Sequence, residues 1–594
     1  MLSDKRGPKL ALTVWMHIAL KPATEPMLKY PTTAADAITS PTIKFFARYR
    51  VVAAILAMWL LCAAIYGFRL NQVVGIVGDD AWYVLLAKSL ATGQGFRLLN
   101  SPVPGLLPSY PPAFPFLLSL LLRFLPAGME HLWLLKLTSV IAMFGVGLGT
   151  FVYTARLRSL PNLLAVLAAV AVVLLPAFVF LATSTLMSEC VFTLAQLLTV
   201  LTAEKALRRS QSKAMWLWWG GVALLASWTF LTRSIAVSLL GAVVLYLLKE
   251  RSYRAAAIFT VCTMLLIGPW LLYTRLNAST PEAKRAHGGN IVYTYGDQLW
   301  MKRAGANDSG AETIRDLPAR IGHNFHNIIT RDFCGMLFPS FLRTTQESGE
   351  ETFSLGESDA LGGGGMRGVA ATRIVSLSLF LLILLGFVVI AARRITLVEI
   401  LLPCSLAVIV IWPWWTFRFV LPLAPFLLHY LLVGLATLAH GAQKLLGFTV
   451  GGSVWTIPRM FMLSVIALYS YDHLGYIHSQ SQKTDSSAWV SEYHESRKLL
   501  EWADTHLPPE AVIAANNPAY VFLHTGHRAI SCESPLENRE IWQRLGVRYF
   551  VILESHGMTE LDGQERDFPV LYRSPNNMRI IDLGLPANRT ESKH

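Results

Sequence analysis

Eleven apolar runs of roughly 17 to 25 residues, each long enough to cross a hydrocarbon core of about 30 Å, punctuate the chain. They lie near 51–69, 132–153, 162–181, 184–203, 215–232, 234–248, 255–273, 374–391, 395–412, 419–438 and 454–471. Three long polar segments interrupt them, at about 70–131, 275–372 and 473–594. The further run "PPAFPFLLSLLLRFLP", residues 111–126, is short and broken by proline. It predicts a juxtamembrane helix lying in the interface. Beyond 473 the pattern alternates between helix-like "SRKLLEWADTHLP" and strand-like "EAVIAANNPAYVFLHTG" and "LGVRYFVILE", which predicts a small soluble α/β domain. The stretch "ALGGGGMRG", residues 360–368, reads as a hinge. The expected fold is therefore a polytopic α-helical membrane protein in three parts: an N-terminal tail over 1–50, a transmembrane domain over 51–472 and a C-terminal domain over 473–594.

Composition agrees: 53% of the 594 residues are hydrophobic and 15% charged, against about 25% charged in soluble domains, and mean hydropathy is +0.45. The first 50 residues lack the apolar core and small-residue cleavage site of a signal peptide and are expected to stay as a cytoplasmic tail. A net charge of +13 would suggest nucleic acid in a soluble protein. Here the basic residues flank apolar spans, where they set topology, and no nucleic acid is expected as a partner. Starting with the tail inside, Arg156 and Arg158, then Lys205, Arg208, Arg209 and Lys213, then Lys249, Arg251 and Arg254, then Arg393 and Arg394, then Lys444 all fall on the cytoplasmic side. The three long segments are then outside, in a multi-pass protein of the plasma membrane. Cys62, Cys190, Cys262 and Cys404 lie in apolar runs, Cys334 and Cys532 in polar segments, and no metal or redox spacing connects them.

Short outer loops nearly free of charge make their exceptions informative. They are Glu189 in "TSTLMSECVF", Arg233 in "WTFLTRSIAV" and Arg418 in "WPWWTFRFVLPLAPF", and they join Asp79 and Asp80, which follow the first span directly. Ionisable residues at membrane depth are costly and mark function by default, and a helix bundle can gather them around one outward-opening cavity. A carboxylate beside another acid is a reasonable general base. Arginine suits a phosphate. No phosphate-cradling glycine loop is present, so the donor phosphate is expected to come from a lipid. Asp79 or Asp80 at the start of a helix is also a good N-cap. His323 and His326, three apart, read as a solvated face, and Trp412, Trp414 and Trp415 as an interfacial belt or a sugar platform. Asn277, Asn307 and Asn588 begin Asn-x-Ser/Thr triplets that carry little weight.

The order of an apolar span, then "GDDAWYVLLAKSLATGQGF", then "SYPPAFPFLLSLLLRF", many spans and a late "RFVLPLAPF" resembles the GT-C superfamily of membrane glycosyltransferases. It is nearest to the family 39-like enzymes, which include protein mannosyltransferases and aminoarabinose transferases. The likeness covers residues 50 to 470. It implies that Asp79 is the catalytic base or orients the acceptor, that Asp80 stands where relatives have Glu or Asp, that Glu189 is the acid of the second outer loop, and that Tyr83, Pro111 and Pro112 belong to the substrate pocket. Some relatives carry at Tyr110 a Lys that meets the lipid phosphate. With Tyr there, Arg418 and Arg233 are the expected phosphate ligands. The expected activity is inverting transfer of a sugar from a polyprenyl-phosphate donor to a hydroxyl of a lipid, glycan or protein acceptor at the outer membrane face. A divalent cation at the acids is left open, as no distinctive metal motif is present. A transporter or flippase of lipid-linked sugars is the alternative; its acids would lie near the bilayer midplane.

Overall fold

The computed structural model describes residues 56–584 except 57, 77, 104, 127, 209–213, 282, 285–291, 303–309, 339–366, 415, 447–452, 482–487, 532–538 and 554–567. The N-terminal tail, most of the 360–368 hinge, Trp415, Cys532, Asn307 and Asn588 lie outside the described residues. After the first helix, α1 (Met58–Arg69), the chain forms α2 (Gly78–Ala91), which begins with the two aspartates, and α3 (Ala113–Leu122). α3 has ten residues, too few to span. It packs on α2 and leaves Phe116, Leu120, Leu121 and the following Phe124 exposed, the surface expected of a helix lying in an interface.

Next come α4 (Met129–Leu157), α5 (Asn162–Val173) and α6 (Pro176–Thr183), the last two bent by 48°. Pro176 accounts for the bend: it lacks an N–H and forces Leu175 out of the helical region, to φ −55° and ψ 119°. Then follow α7 (Glu189–Leu207), α8 (Met215–Thr232), α9 (Ser234–Lys249) and α10 (Tyr253–Leu276). In the large segment after α10 stand the short α11 (Tyr295–Leu299) and α12 (Leu317–Asn327), then α13 (Phe333–Leu337). The bundle closes with α14 (Arg367–Ala391), α15 (Leu397–Ile411), α16 (Thr416–Leu445) and α17 (Thr456–Ser481). Where they are described, the apolar runs fall largely on helices. Among the described residues five helices, α4, α7, α10, α16 and Arg373–Ala391 within α14, are long and apolar enough to cross a membrane, or six if the bent pair counts as one.

Two features hold the bundle away from the two aspartates. α14 and α16 cross where glycines face each other: a Cβ at Gly386 would strike the Tyr430 carbonyl, and one at Gly434 would strike the Leu382 carbonyl, the small-residue contact that lets helix backbones meet without a hydrophobic drive. At the loop between α4 and α5, the Arg158 guanidinium lies 3.0 Å from the buried Glu399 carboxylate, which also accepts from Thr396 and Tyr430. Every charge there has a partner, as burial requires.

After α18 (Ala488–His506) the chain forms β1 (Val512–Ala515), α19 (Pro518–Thr525), β2 (Ala529–Ser531), α20 (Arg539–Arg544), β3 (Val547–Ile552), β4 (Val570–Arg573) and β5 (Arg579–Asp582). The sheet order is β2-β1-β3-β5-β4, parallel among β2, β1 and β3 and antiparallel at β5 and β4. Gly526, at φ +71°, ends α19 in the left-handed conformation that a residue with a Cβ adopts at a cost. α19 packs directly on α2, so the C-terminal domain meets the helix that carries Asp79 through α19.

Candidate active site

Asp79 and Asp80 open α2, where the positive end of the helix dipole favours carboxylates. Adjacent residues on a helix diverge by about 100°, and the two part accordingly. Asp79 lines a cavity of about 500 Å³. Its Oδ1 accepts a hydrogen bond from the Tyr110 hydroxyl at 2.6 Å and its Oδ2 stands 2.7 Å from Arg418 Nη2. Burial works to raise its pKa; the Arg418 charge and the Tyr110 hydrogen bond outweigh that and hold it below the usual carboxylate range.

Asp80, expected beside Asp79 in the catalytic group, is turned away from the cavity. It is fully buried, and neither carboxylate oxygen has a hydrogen bond in normal geometry among the described residues. Burial pushes its pKa up to about 7, against the weaker pull of the Gly75 amide and the Lys136 charge. A carboxyl whose folded pKa lies above its unfolded value of 3.8 contributes stability that is present below that value and lost as pH rises through about 7. Asp80→Asn, neutral and of the same shape, is therefore expected to melt at or above the wild-type temperature at pH 8. It should equal wild type near pH 4 and keep its catalytic machinery; thermal unfolding at both pH values is the check.

Glu189 is the first residue of α7 and is fully buried. Its Oε1 lies 2.9 Å from Arg233 Nη1 and also accepts from Arg418 Nε. Arg233 ends α8 in an extended conformation, φ −151° and ψ 126°, which swings it off the helix axis into the cavity wall. Arg418 sits in the first turn of α16. The core of the site is thus two acids and two guanidiniums: Arg418 joins Asp79 to Glu189, and Glu189 joins Arg418 to Arg233.

A polar shell fixes these groups. Ser188 Oγ takes the Arg233 guanidinium at 3.1 Å and the Tyr83 hydroxyl at 2.9 Å, and the Tyr83 ring meets Tyr110 and Phe114 edge-on at 5.1 and 4.9 Å. Asp332 accepts from the Thr416 hydroxyl, two residues before Arg418, and is met by Arg331 Nε at 3.0 Å. The turn holding Tyr110 is tied to α11: Tyr295 donates to the Ser109 carbonyl at 2.7 Å and Gln298 Nε2 to Ser109 Oγ at 2.6 Å. Lys136, fully buried, donates to Asn71 Oδ1 at 2.7 Å and to the Asn71, Thr183 and Ser184 carbonyls at 3.0 to 3.2 Å, fastening the start of the first long segment to the loop before Glu189. Trp412 and Trp414 also line the cavity, and Trp412 packs on Tyr295 at 5.5 Å.

Sequence placed Asp79, Tyr83, Tyr110, Pro111, Arg233 and Arg418 in one site, and all six line the cavity. Two of the expected residues lie elsewhere. Asp80 points away from the cavity. Pro112 caps α3 rather than lining the cavity. Tyr110, on the cavity wall, donates its hydroxyl to Asp79. Ser188, Asp332, Lys136, Tyr295 and Gln298 were not singled out. Ser188 had a faint signal, a hydroxyl next to a membrane-depth acid. His323 is hydrogen-bonded to Asn327 at 3.0 Å on exposed α12. Among the described residues no three His, Cys, Asp or Glu stand close enough to hold a metal ion. Both site acids are matched by arginines, and Asp80 is averted.

No family model and no curated protein matches the chain. Among solved structures, the chain is similar to the aminoarabinose transferase ArnT from Cupriavidus metallidurans bound to undecaprenyl phosphate: 12% identity, 89% of this chain and 98% of that one covered, TM-score 0.47. It is also similar to the oligosaccharyltransferase AglB from Archaeoglobus fulgidus, in complex with an inhibitory peptide and a dolichol-phosphate: 11% identity, 84% and 69% covered, TM-score 0.44. Both are members of the GT-C superfamily.

Proposed function

We propose that the chain is an integral-membrane glycosyltransferase that moves a sugar from a polyprenyl phosphate to an acceptor hydroxyl, at the outer face of the plasma membrane. The observation that carries this reading is the Arg418 bridge between Asp79 and the buried Glu189, with Asp79, Arg418 and Arg233 on the wall of one cavity. The two guanidiniums are matched by two carboxylates, and the Arg418 charge and the Tyr110 hydrogen bond favour the charged form of Asp79. A lipid phosphate competes with Asp79 for Arg418, because guanidinium binds phosphate as readily as carboxylate. Phosphate binding and release of the base are then the same event.

The acceptor oxygen attacks the anomeric carbon, its proton passes to Asp79, and the bond from that carbon to the phosphate oxygen breaks with its electron pair staying on the phosphate. Arg418 and Arg233 meet the charge gathering there. Tyr110 keeps Asp79 oriented, and Trp412 and Tyr295 offer aromatic faces to a sugar ring. The apolar wall from the end of α8, the start of α9 and the end of α10 suits a prenyl chain entering from the membrane. A single displacement inverts the anomeric centre. The test is to give the purified protein in lipid a polyprenyl-phosphate sugar of known anomeric configuration and read the product by NMR: inversion is expected, and a retained configuration would contradict direct attack.

A further inference from the structure

We infer that the C-terminal sheet domain positions the Asp79 loop, with Asn517 as the positioning residue. This rests on the role given above to Asp79. Asn517 links two parts of the chain through one side chain. Its Oδ1 accepts from the Tyr520 amide at 3.2 Å and so caps α19. Its Nδ2 donates to the Gly75 carbonyl at 3.1 Å and the Ile76 carbonyl at 3.4 Å, three residues before Asp79. Carbonyls in a buried non-helical stretch need donors, and here the donor comes from β1's far end, more than four hundred residues along the chain.

The loop is shaped to receive it. Gly75 adopts φ +97°, and a Cβ on it would stand 2.6 Å from the Tyr520 ring, so only glycine allows the approach. Tyr520 is itself fully buried, and its hydroxyl shares a hydrogen bond with Ser496 of α18 at 2.9 Å. The far end of the segment is held as well. Asn100 exchanges two hydrogen bonds with Ala529, its carbonyl accepting from the Ala529 amide at 2.6 Å and its Nδ2 donating to the Ala529 carbonyl at 3.0 Å. Ala529 begins β2, an edge strand of the sheet. One sheet therefore grips residues 75–76 and 100, on either side of the helix whose first turn carries Asp79. A base displaced by about 1 Å can cost roughly a hundredfold in rate, which is what such a grip prevents.

Two substitutions separate this role from a purely structural one. Asn517→Ser keeps an oxygen that caps α19 but is too short to reach the Gly75 and Ile76 carbonyls; Arg548→Ala, on the exposed side of the same sheet, is the control. For Asn517→Ser we expect faster hydrogen exchange confined to about residues 73–82 at near-wild-type melting temperature. Transfer kcat should fall roughly tenfold with donor KM within about twofold. The acid limb of the pH profile should move up toward the ordinary carboxylate range as Asp79 loosens from Arg418. Arg548→Ala should change none of these. Gly75→Ala strikes the same contact from the loop side and serves if Asn517→Ser fails to fold. Unchanged exchange at 73–82, or a rate loss that only tracks a lowered melting temperature, would overturn the inference. Should wild-type protein transfer nothing, the transferase reading fails while the exchange comparison still decides the grip.

Discussion

Arg418→Ala is expected to lower kcat/KM for a polyprenyl-phosphate sugar roughly a thousandfold and to weaken binding of the sugar-free polyprenyl phosphate in parallel. Arg418 touches both acids of the site, standing 2.7 Å from Asp79 and donating to Glu189. Its loss removes the group proposed to meet the leaving phosphate and also leaves Asp79 without its cation. Arg233 stays bound to Glu189 at 2.9 Å, so the cavity keeps one guanidinium and the remaining buried acid keeps a partner. Arg418→Lys is expected to recover only part of the loss, since an ammonium cannot span two carboxylates as a planar fork does. Steady-state kinetics together with titration of labelled polyprenyl phosphate measure both effects; a variant that binds the phosphate as wild type does would remove Arg418 from the phosphate site.

Asp79→Asn separates chemistry from binding. Removing a general base costs typically 10²- to 10⁴-fold, and a loss of about a thousandfold in kcat is expected here. Affinity for polyprenyl phosphate should stay the same or rise, because an amide competes less with phosphate for Arg418 than a carboxylate does. The pH dependence carries a sign as well. Burial raises the Asp79 pKa, but Arg418 and Tyr110 overcome this and place it below the usual range. The carboxylate is therefore retained through the mildly acidic range, and wild-type activity should decline only as pH falls below the range in which an ordinary carboxylate titrates. A depressed folded pKa also means that the stability Asp79 contributes is present above its unfolded pKa and is lost as pH falls through the folded one. Stopped assays from pH 3 to 8 report the limb, and Asp79→Asn should lack it.

Much of this site was legible because charge is scarce in an apolar chain. Asp79, Glu189, Arg233 and Arg418 stood out by their depth at span ends, and the bundle brings all four into one network. Helices forming over the apolar runs follow from the same physics. The parting of Asp80 from Asp79 agrees with helical geometry, since successive residues of a helix diverge by about 100°. Other parts had no local signal. Lys136 reads as an ordinary basic residue at a span end, yet it is a buried clasp on three carbonyls and an amide oxygen. Tyr295 and Gln298 sit in a long loop without pattern, and Asn517 resembles any residue that starts a helix. Their roles arise from contacts between segments far apart in the chain, and a single sequence carries no trace of which segments will meet.

The central claim is that Asp79 takes the proton of an acceptor hydroxyl while Arg418 and Arg233 hold the departing lipid phosphate. It is tested most directly by single-turnover transfer from a labelled polyprenyl-phosphate sugar, comparing wild type with Asp79→Asn at donor concentrations shown to saturate both. Label should pass to acceptor with wild type, and at least about a hundredfold more slowly with Asp79→Asn despite full donor occupancy. Equal rates from the two proteins, or no transfer by wild type from any lipid-phosphate-linked sugar, would contradict it.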